Sequence, residues 1–339
     1  MKARPTTIQA TPMTLAYLPV MRLDLVKGRP SRVKPLRPRR MAPIPIATPR
    51  IPPNMPVTIP EARGALRGAG GRDTGGGMTE IGIIGAAGRM GQRLVALAKE
   101  DPELKVVGAV DRGDHPMIGK DAGEVAQVGA MGVPLTAELR GSPRVLIDFS
   151  APVSMRKWLH ECRGRGIAMV VGTTGLHATD HEVIDLAARD IAVLQSPNMS
   201  LGVNVLFKIA GLAAQMLGDD YDKEIVEGHH RFKKDAPSGT ALGLADAILQ
   251  AMGKTREALV YDRHGDDAVR KRGEIGMHAL RIGDEVGRHT AYFANLGERL
   301  ELTHVATNRD TFVRGALRAA KWLAGQKPGR YAIADMLGI

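Results

Sequence analysis

Glu80-Ile81-Gly82-Ile83-Ile84-Gly85-Ala86-Ala87-Gly88-Arg89-Met90-Gly91 is the stretch on which the fold turns. Residues 80–84 read as a short buried strand, which runs into a glycine turn and then into a helical stretch over residues 92–100. Strand, glycine turn and helix in that order suit a dinucleotide. The glycines let the backbone turn tightly and approach a pyrophosphate, while the helix N-terminus supplies amide donors and a favourable dipole. The spacing is G-x-x-G-x-x-G, not the commoner G-x-G-x-x-G, and a glycine turn by itself often serves packing alone. Here a second strand, residues 105–110, follows and ends at Asp111-Arg112. Asp111 lies about 20 residues beyond Gly91, the place for an acid that bonds the adenosine ribose hydroxyls. Arg112 beside it could hold a 2′-phosphate instead, so the pair leaves NADH versus NADPH open.

The alternation continues outward from this unit. Strands are expected at 144–150, 168–171 and 191–194, with helices at 153–163 and 180–189 between them. Repeated βα units predict a parallel, doubly wound sheet whose ligand sits beyond the carboxyl ends of the strands. Ser150, the cluster Gly172-Thr173-Thr174 and the cluster Ser196-Pro197-Asn198-Met199 all fall at such ends. Small polar residues favour turns anyway, but three such ends in one sheet point to a nicotinamide rim.

The charge balance locates what lies outside this body. Of the 47 Lys/Arg and 36 Asp/Glu, residues 1–77 hold 14 and 3, so residues 78–339 carry 33 of each and no net charge. Residues 1–77 also hold 13 of the 21 prolines and end in a glycine-rich run. That density of proline interrupts helix and strand alike, so the segment is expected to be disordered, with Met78 the working start. Transit-peptide and nucleic-acid-arm readings of this basic segment are weaker, because a strand begins two residues after Met78, and the neutral remainder counts further against nucleic acid. No apolar run is expected to span a bilayer. Cys162 is the sole cysteine, so an intrachain disulfide and a cysteine-based zinc site are excluded, which suits a reducing, cytoplasmic setting.

After Met199 the alternation stops. An amphipathic helix over 204–217 and a strand over 221–227 deliver Glu227-Gly228-His229-His230-Arg231-Phe232-Lys233-Lys234-Asp235-Ala236-Pro237-Ser238-Gly239-Thr240. Two imidazoles suit proton transfer near neutral pH. Adjacent residues of a strand face opposite ways, so His229 and His230 meet at one spot only if the chain bends, and no metal site is expected. Lys233 and Lys234 add positive charge. Pro237, Ser238, Gly239 and Thr240 open a helix over 241–252, whose start suits a carboxylate or phosphate. Each of these features alone is commonly structural; their concentration downstream of a dinucleotide pattern is what points to chemistry.

This stretch closely resembles E-x-H-H-x-x-K-x-D-A-P-S-G-T-A, the signature of the 4-hydroxy-tetrahydrodipicolinate reductase (dihydrodipicolinate reductase) family. The likeness extends over residues 80–339 and includes the glycine turn, Asp148-Phe149-Ser150, Gly172-Thr173-Thr174-Gly175, Asn198-Met199-Ser200-Leu201-Gly202-Val203-Asn204 and Gly297-Glu298-Arg299-Leu300-Glu301-Leu302-Thr303-His304. The resemblance implies an α/β protein: a Rossmann-type, parallel doubly wound nucleotide domain (residues 78–199 and 307–339) plus an α+β substrate and oligomerisation domain with an open mixed sheet (residues 200–306). It implies an NAD(P)H-dependent reductase of the diaminopimelate and lysine pathway acting on a cyclic dicarboxylate, assembled as a homotetramer, with neither nucleic acid nor membrane as partner. By the same carry-over His229 and Lys233 are the catalytic pair, and His230, Gly239 and Thr240 bind substrate. Gly85, Ala86, Ala87, Gly88, Arg89, Met90, Asp111, Arg112, Gly172, Thr173, Thr174, Ser196, Pro197, Asn198 and Met199 would contact the NADH or NADPH. The acid after the second strand is often Glu in the family; Asp111 is one carbon shorter. Three helix-free strands are expected at 276–282, 288–294 and 299–305, then a helix over 310–323 that returns to the nucleotide domain, with hinges near residues 199–204 and 307. A homoserine or semialdehyde dehydrogenase would account for residues 80–200 equally well, but not for the stretch from His229 to Thr240.

Overall fold

A computed structural model describes residues 77–261 and 263–339, all within one body. The reading of residues 1–76 as disordered, and of Met78 as the start, falls outside what it describes. In chain order the elements are β1 (Thr79–Ile84), α1 (Arg89–Glu100), β2 (Leu104–Val110), α2 (Ala122–Val125), β3 (Leu135–Thr136), β4 (Val145–Asp148), α3 (Pro152–Arg165), β5 (Ala168–Val171), α4 (Ala178–Ala188) and β6 (Ala192–Gln195). There follow α5 (Leu201–Leu217), β7 (Asp222–His229), α6 (Gly239–Ala251), β8 (Leu259–Val260), β9 (Ile275–Arg281), β10 (Gly287–Asn295), β11 (Glu298–Ala306), α7 (Asp310–Leu323), β12 (Gly329–Tyr331) and α8 (Ile333–Leu337).

The first sheet runs β12-β6-β5-β4-β1-β2-β3, and every pairing in it is parallel. From β3 to β6 this is the doubly wound order 3-2-1-4-5-6, whose crevice opens where the order reverses between β1 and β4. The two-residue period of a strand divides the core in two. Ile81, Ile83, Val145, Ile147 and Val170 face α1 and the C-terminal α7 and α8, while Ile84, Leu146, Met169 and Val171 face α3 and α4. Covering both faces is what makes these strands nearly continuous apolar runs. Cys162 lies inside the second of these layers, where burial pushes its thiol up to about 12, so it is a packing residue rather than a nucleophile.

The second sheet runs β11-β10-β7-β9-β8. β10 is antiparallel to both β7 and β11, whereas β9 is parallel to β7 and β8, so the sheet is mixed. α5 and α6 cover one face, burying Leu206, Ala210, Leu244 and Ile248 on Ile225, Ala291 and Phe293. Three expectations need correction. Leu201–Asp220 is long and apolar enough by length and composition to cross a bilayer, yet Val203, Leu206, Ala210 and Ala214 are buried along it, so it serves as a core helix with one apolar face left outward. The helix after the glycine turn begins at Arg89, so Arg89 and Met90 form its first turn. β3, β8, β12 and α8 were not expected; strands of two or three residues carry no legible period.

The glycine turn is sterically exacting. Gly85 has φ +69°, and a Cβ on Gly91 would lie 2.0 Å from the Gly85 carbonyl oxygen and 2.5 Å from Ala86 Cα. A backbone obstacle cannot move aside as a side chain can. Gly91→Ala is therefore expected to destabilise the protein by about 2 kcal/mol, the scale of core overpacking. Gly164→Ala, where a Cβ meets nothing within 4 Å in α3, should be neutral or stabilising by about 0.5–1 kcal/mol. Denaturant titration of the two variants side by side measures the difference.

Candidate active site

The carboxyl ends of the first sheet face the end of β7 and the start of α6 across a cleft of about 740 Å³. On the sheet side it is lined by Met90, Phe149, Gly172, Thr173, Thr174 and the run Ser196 to Met199; opposite stand His229, His230, Lys233, Gly239 and Thr240. The two groups that the sequence suggested separately are thus brought together. Gly85, Ala86, Ala87, Gly88, Arg89, Asp111 and Arg112 are not on this cleft wall; they occupy the turn and the strand end that adjoin it.

β7 runs two residues further than expected and ends at His229, with the turn that starts at His230 closed by a 3.1 Å bond from the Lys233 N–H to the His230 carbonyl. That bend is why both imidazoles line the cleft despite being neighbours. His229 Nδ1 contacts the buried carboxylate of Glu227. The other Glu227 oxygen accepts from Arg281 Nη2 at 2.9 Å and from the Ser238 N–H at 3.2 Å. Burial alone would raise the Glu227 carboxyl, but the hydrogen bonds from His229 and Arg281 outweigh it and hold it at about 2. Lys233 pairs with Asp235 at 2.9 Å. At the head of α6 the Ser238 hydroxyl accepts from the Ala241 N–H at 3.1 Å and lies 3.1 Å from His289 Nε2.

His289 is 4% exposed, edge-on to His229 at 5.1 Å between ring centroids, with no partner for its Nδ1. Glu227, His229 and His289 bring three potential metal ligands within 4.8 Å of one another. Reasoning from the adjacent His229 and His230 did not reach this grouping, because His289 arrives from β10. Arg281 already satisfies Glu227, and its charge together with that of Lys233 opposes a cation there.

On the sheet side, the helix start at Gly88 has no side-chain cap and no acid in its first turn, which leaves that end open to an anion. Asp111 accepts the Ala87 N–H at 2.9 Å, tying the second strand to the glycine turn. Arg112 is exposed, 3.7 Å from Asp114. A Cβ on Gly172 would strike the Phe149 ring at 2.6 Å, so the cleft floor requires glycine. Beneath it Asp148, fully buried, accepts from Thr173 Oγ1 at 2.6 Å, and burial raises its carboxyl against the hydrogen bonds from Ser150 and Thr173. Arg281, His289, Arg309 and Phe312 were missed in the sequence. They come from strands or helix ends remote from either motif, and only strand register and packing bring them in.

Burial, with the neighbouring His229 adding to it, pushes His289 down from the ordinary 6.5 to about 4. The unfolded chain then binds a proton at His289 before the folded chain does, so this contribution to stability is present above 6.5 and lost as pH falls toward 4. Glu227 carries the same sign between 4.5 and about 2. The midpoint of unfolding should fall as pH drops through the His289 window, and His289→Asn should flatten that slope in melts recorded across it; an unchanged slope would assign the sensitivity elsewhere.

Two family models match: dihydrodipicolinate reductase, N-terminus, over residues 79–199, and dihydrodipicolinate reductase, C-terminus, over residues 202–337. The 4-hydroxy-tetrahydrodipicolinate reductase of Citrifermentans bemidjiense is 46% identical over 266 residues, 77% of this chain and 100% of that protein. That of Hahella chejuensis is 46% identical with the same coverage. A dipicolinate-bound dihydrodipicolinate reductase from a Paenisporosarcina species superposes with a TM-score of 0.59 at 23% identity, covering 75% of this chain and 97% of that one, and so shares the fold. With two domain models spanning more than half of its length and full-length relatives at this identity, the chain belongs to the dihydrodipicolinate reductase family.

Proposed function

We propose that the protein reduces 4-hydroxy-tetrahydrodipicolinate to tetrahydrodipicolinate, with loss of water, in diaminopimelate and lysine synthesis. The observation that carries this reading is the cleft, adjoined by the open start of α1, in which Met90 and a glycine floor face His229, Lys233 and a second helix start. The nicotinamide supplies hydride chemistry when bound. The residues present fit such a cofactor: the uncapped first turn of α1 offers amides to a pyrophosphate, and Gly85 to Met90, Gly172 to Thr174 and Ser196 to Met199 would supply the remaining contacts. Asp111 at the turn can accept ribose hydroxyls, and exposed Arg112 can meet a 2′-phosphate, so use of both NADH and NADPH is our reading.

On the opposite wall His229 and Lys233 handle the proton that the reduced substrate must take up. His230, Gly239 and Thr240 hold the dicarboxylate at the positive end of α6. No thioester route is offered by Cys162, buried far above its ordinary pKa, which disfavours a semialdehyde dehydrogenase. We also read the chain as two hinged units, residues 78–199 with 307–339 and residues 200–306, in a cytoplasmic homotetramer. Family membership supports that assembly, as do Leu280, Leu300 and Val305, apolar and exposed on the second sheet.

The test supplies the purified protein with the fresh condensation product of pyruvate and aspartate semialdehyde and follows loss of NADH or NADPH absorbance. Oxidation of both cofactors is expected, and oxidation of neither sinks the assignment. His229→Ala and Lys233→Ala should each lower turnover by about 10²-fold or more, the scale of general acid catalysis. Near-normal turnover in both would place the proton source elsewhere.

A further inference from the structure

Glu227 bonds to both parts of the cleft wall formed by the second sheet. Through one oxygen it meets His229 Nδ1, and through the other it takes the Ser238 N–H, the residue that caps α6. Arg281, on the neighbouring strand in register with His229, bonds the same carboxylate at 2.9 Å and the Asp235 carbonyl at 2.6 Å. The segment from His230 to Ser238 carries Lys233 and ends at Gly239 and Thr240. It is therefore tied at its start, near its middle and at its end to one buried ion pair. Such a pair is costly to desolvate and is seldom retained for stability alone.

We propose that Glu227, held by Arg281, is a positioning residue that sets His229 as proton donor and fixes the helix start of Gly239 and Thr240 at the matching distance for a carboxylate. This rests on the reductase reading above. A carboxylate on Nδ1 fixes the imidazole tautomer and orientation, leaving Nε2 as the atom that gives up the proton. The groups facing His229 are Glu227 on its own strand, Arg281 on β9, His289 on β10 with His304 behind it on β11, and Lys233, Asp235 and His230 on the loop. Of these, Glu227 is the carboxylate in contact with the ring. Removing its charge moves the alkaline limb of the reaction toward acid, whereas a merely structural Glu227 would leave the profile where it is.

The experiment measures kcat and KM against pH for the wild-type enzyme, Glu227→Gln and Arg281→Met, with binding of pyridine-2,6-dicarboxylate followed by calorimetry. In Glu227→Gln turnover should fall by about 10²-fold or more, as when a histidine loses its orienting carboxylate, and the alkaline limb should move acidward by about one pH unit or more. In Arg281→Met, loss of a charged hydrogen bond to the loop should raise KM and weaken the dicarboxylate by about tenfold, with a smaller change in kcat. A Glu227→Gln enzyme that folds and keeps both turnover and limb overturns the inference. If that variant does not fold, Arg281→Met decides: a rise in KM with weakened dicarboxylate binding supports the inference, and unchanged KM and binding overturn it. Wild-type enzyme inactive with either cofactor overturns the reductase reading and this inference with it; active wild type with unaffected variants overturns the inference alone.

Discussion

A carboxylate with almost no exposure must find partners or stay protonated, and Glu227 finds three of them. They come from its own strand, from β9 and from the head of α6. Meeting all three at once constrains how far β7 extends, the register between β7 and β9, and where α6 begins. The mixed sheet is thus more than a platform. The parallel pairing of β7 with β9 puts Arg281 beside His229, and the antiparallel pairing of β7 with β10 puts His289 opposite Glu227.

The first sheet reaches this arrangement through the junction after β6. Asn198 donates to Thr240 Oγ1 at 2.9 Å, which links the rim of the nucleotide side directly to the helix start opposite. Two residues on, Ser200 caps α5 and lies 3.4 Å from His304 and 3.3 Å from Thr311. The C-terminal helix closes on the same point, since a Cβ on Gly315 would lie 1.8 Å from the Met199 carbonyl. Chain entering the second sheet and chain leaving it therefore run side by side.

The first sheet was largely legible because its strands are buried on both faces and punctuated by glycine or small polar residues. β1, β2, β5 and the helix Asp310–Leu323 come close to their expected bounds. The cleft was legible where local patterns carry the chemistry, as at the glycine turn and from His229 to Thr240. Arg281, His289 and Arg309 were not. A strand residue's neighbours depend on register, and register depends on the whole sheet. The meeting of His229 with His230 was legible only as conditional on a bend, for a related reason. The two-residue period holds within a strand, and β7 stops between them.

The electrostatics of the cleft follow from what burial does to each cation. Arg281 is paired with the Glu227 carboxylate, and Lys233 has Asp235 beside it. Among the described residues no carboxylate bonds His289 or His304, and burial lowers both, His289 to about 4. Near neutral pH they are uncharged, so they fill the space behind His229 without competing with it for a proton. Were His289 charged, it would meet the positive charges of Arg281 and Lys233 around the same site. Keeping this second imidazole neutral and giving the first a carboxylate divides two chemically identical side chains, 5.1 Å apart, between a structural task and the acid–base one proposed for His229.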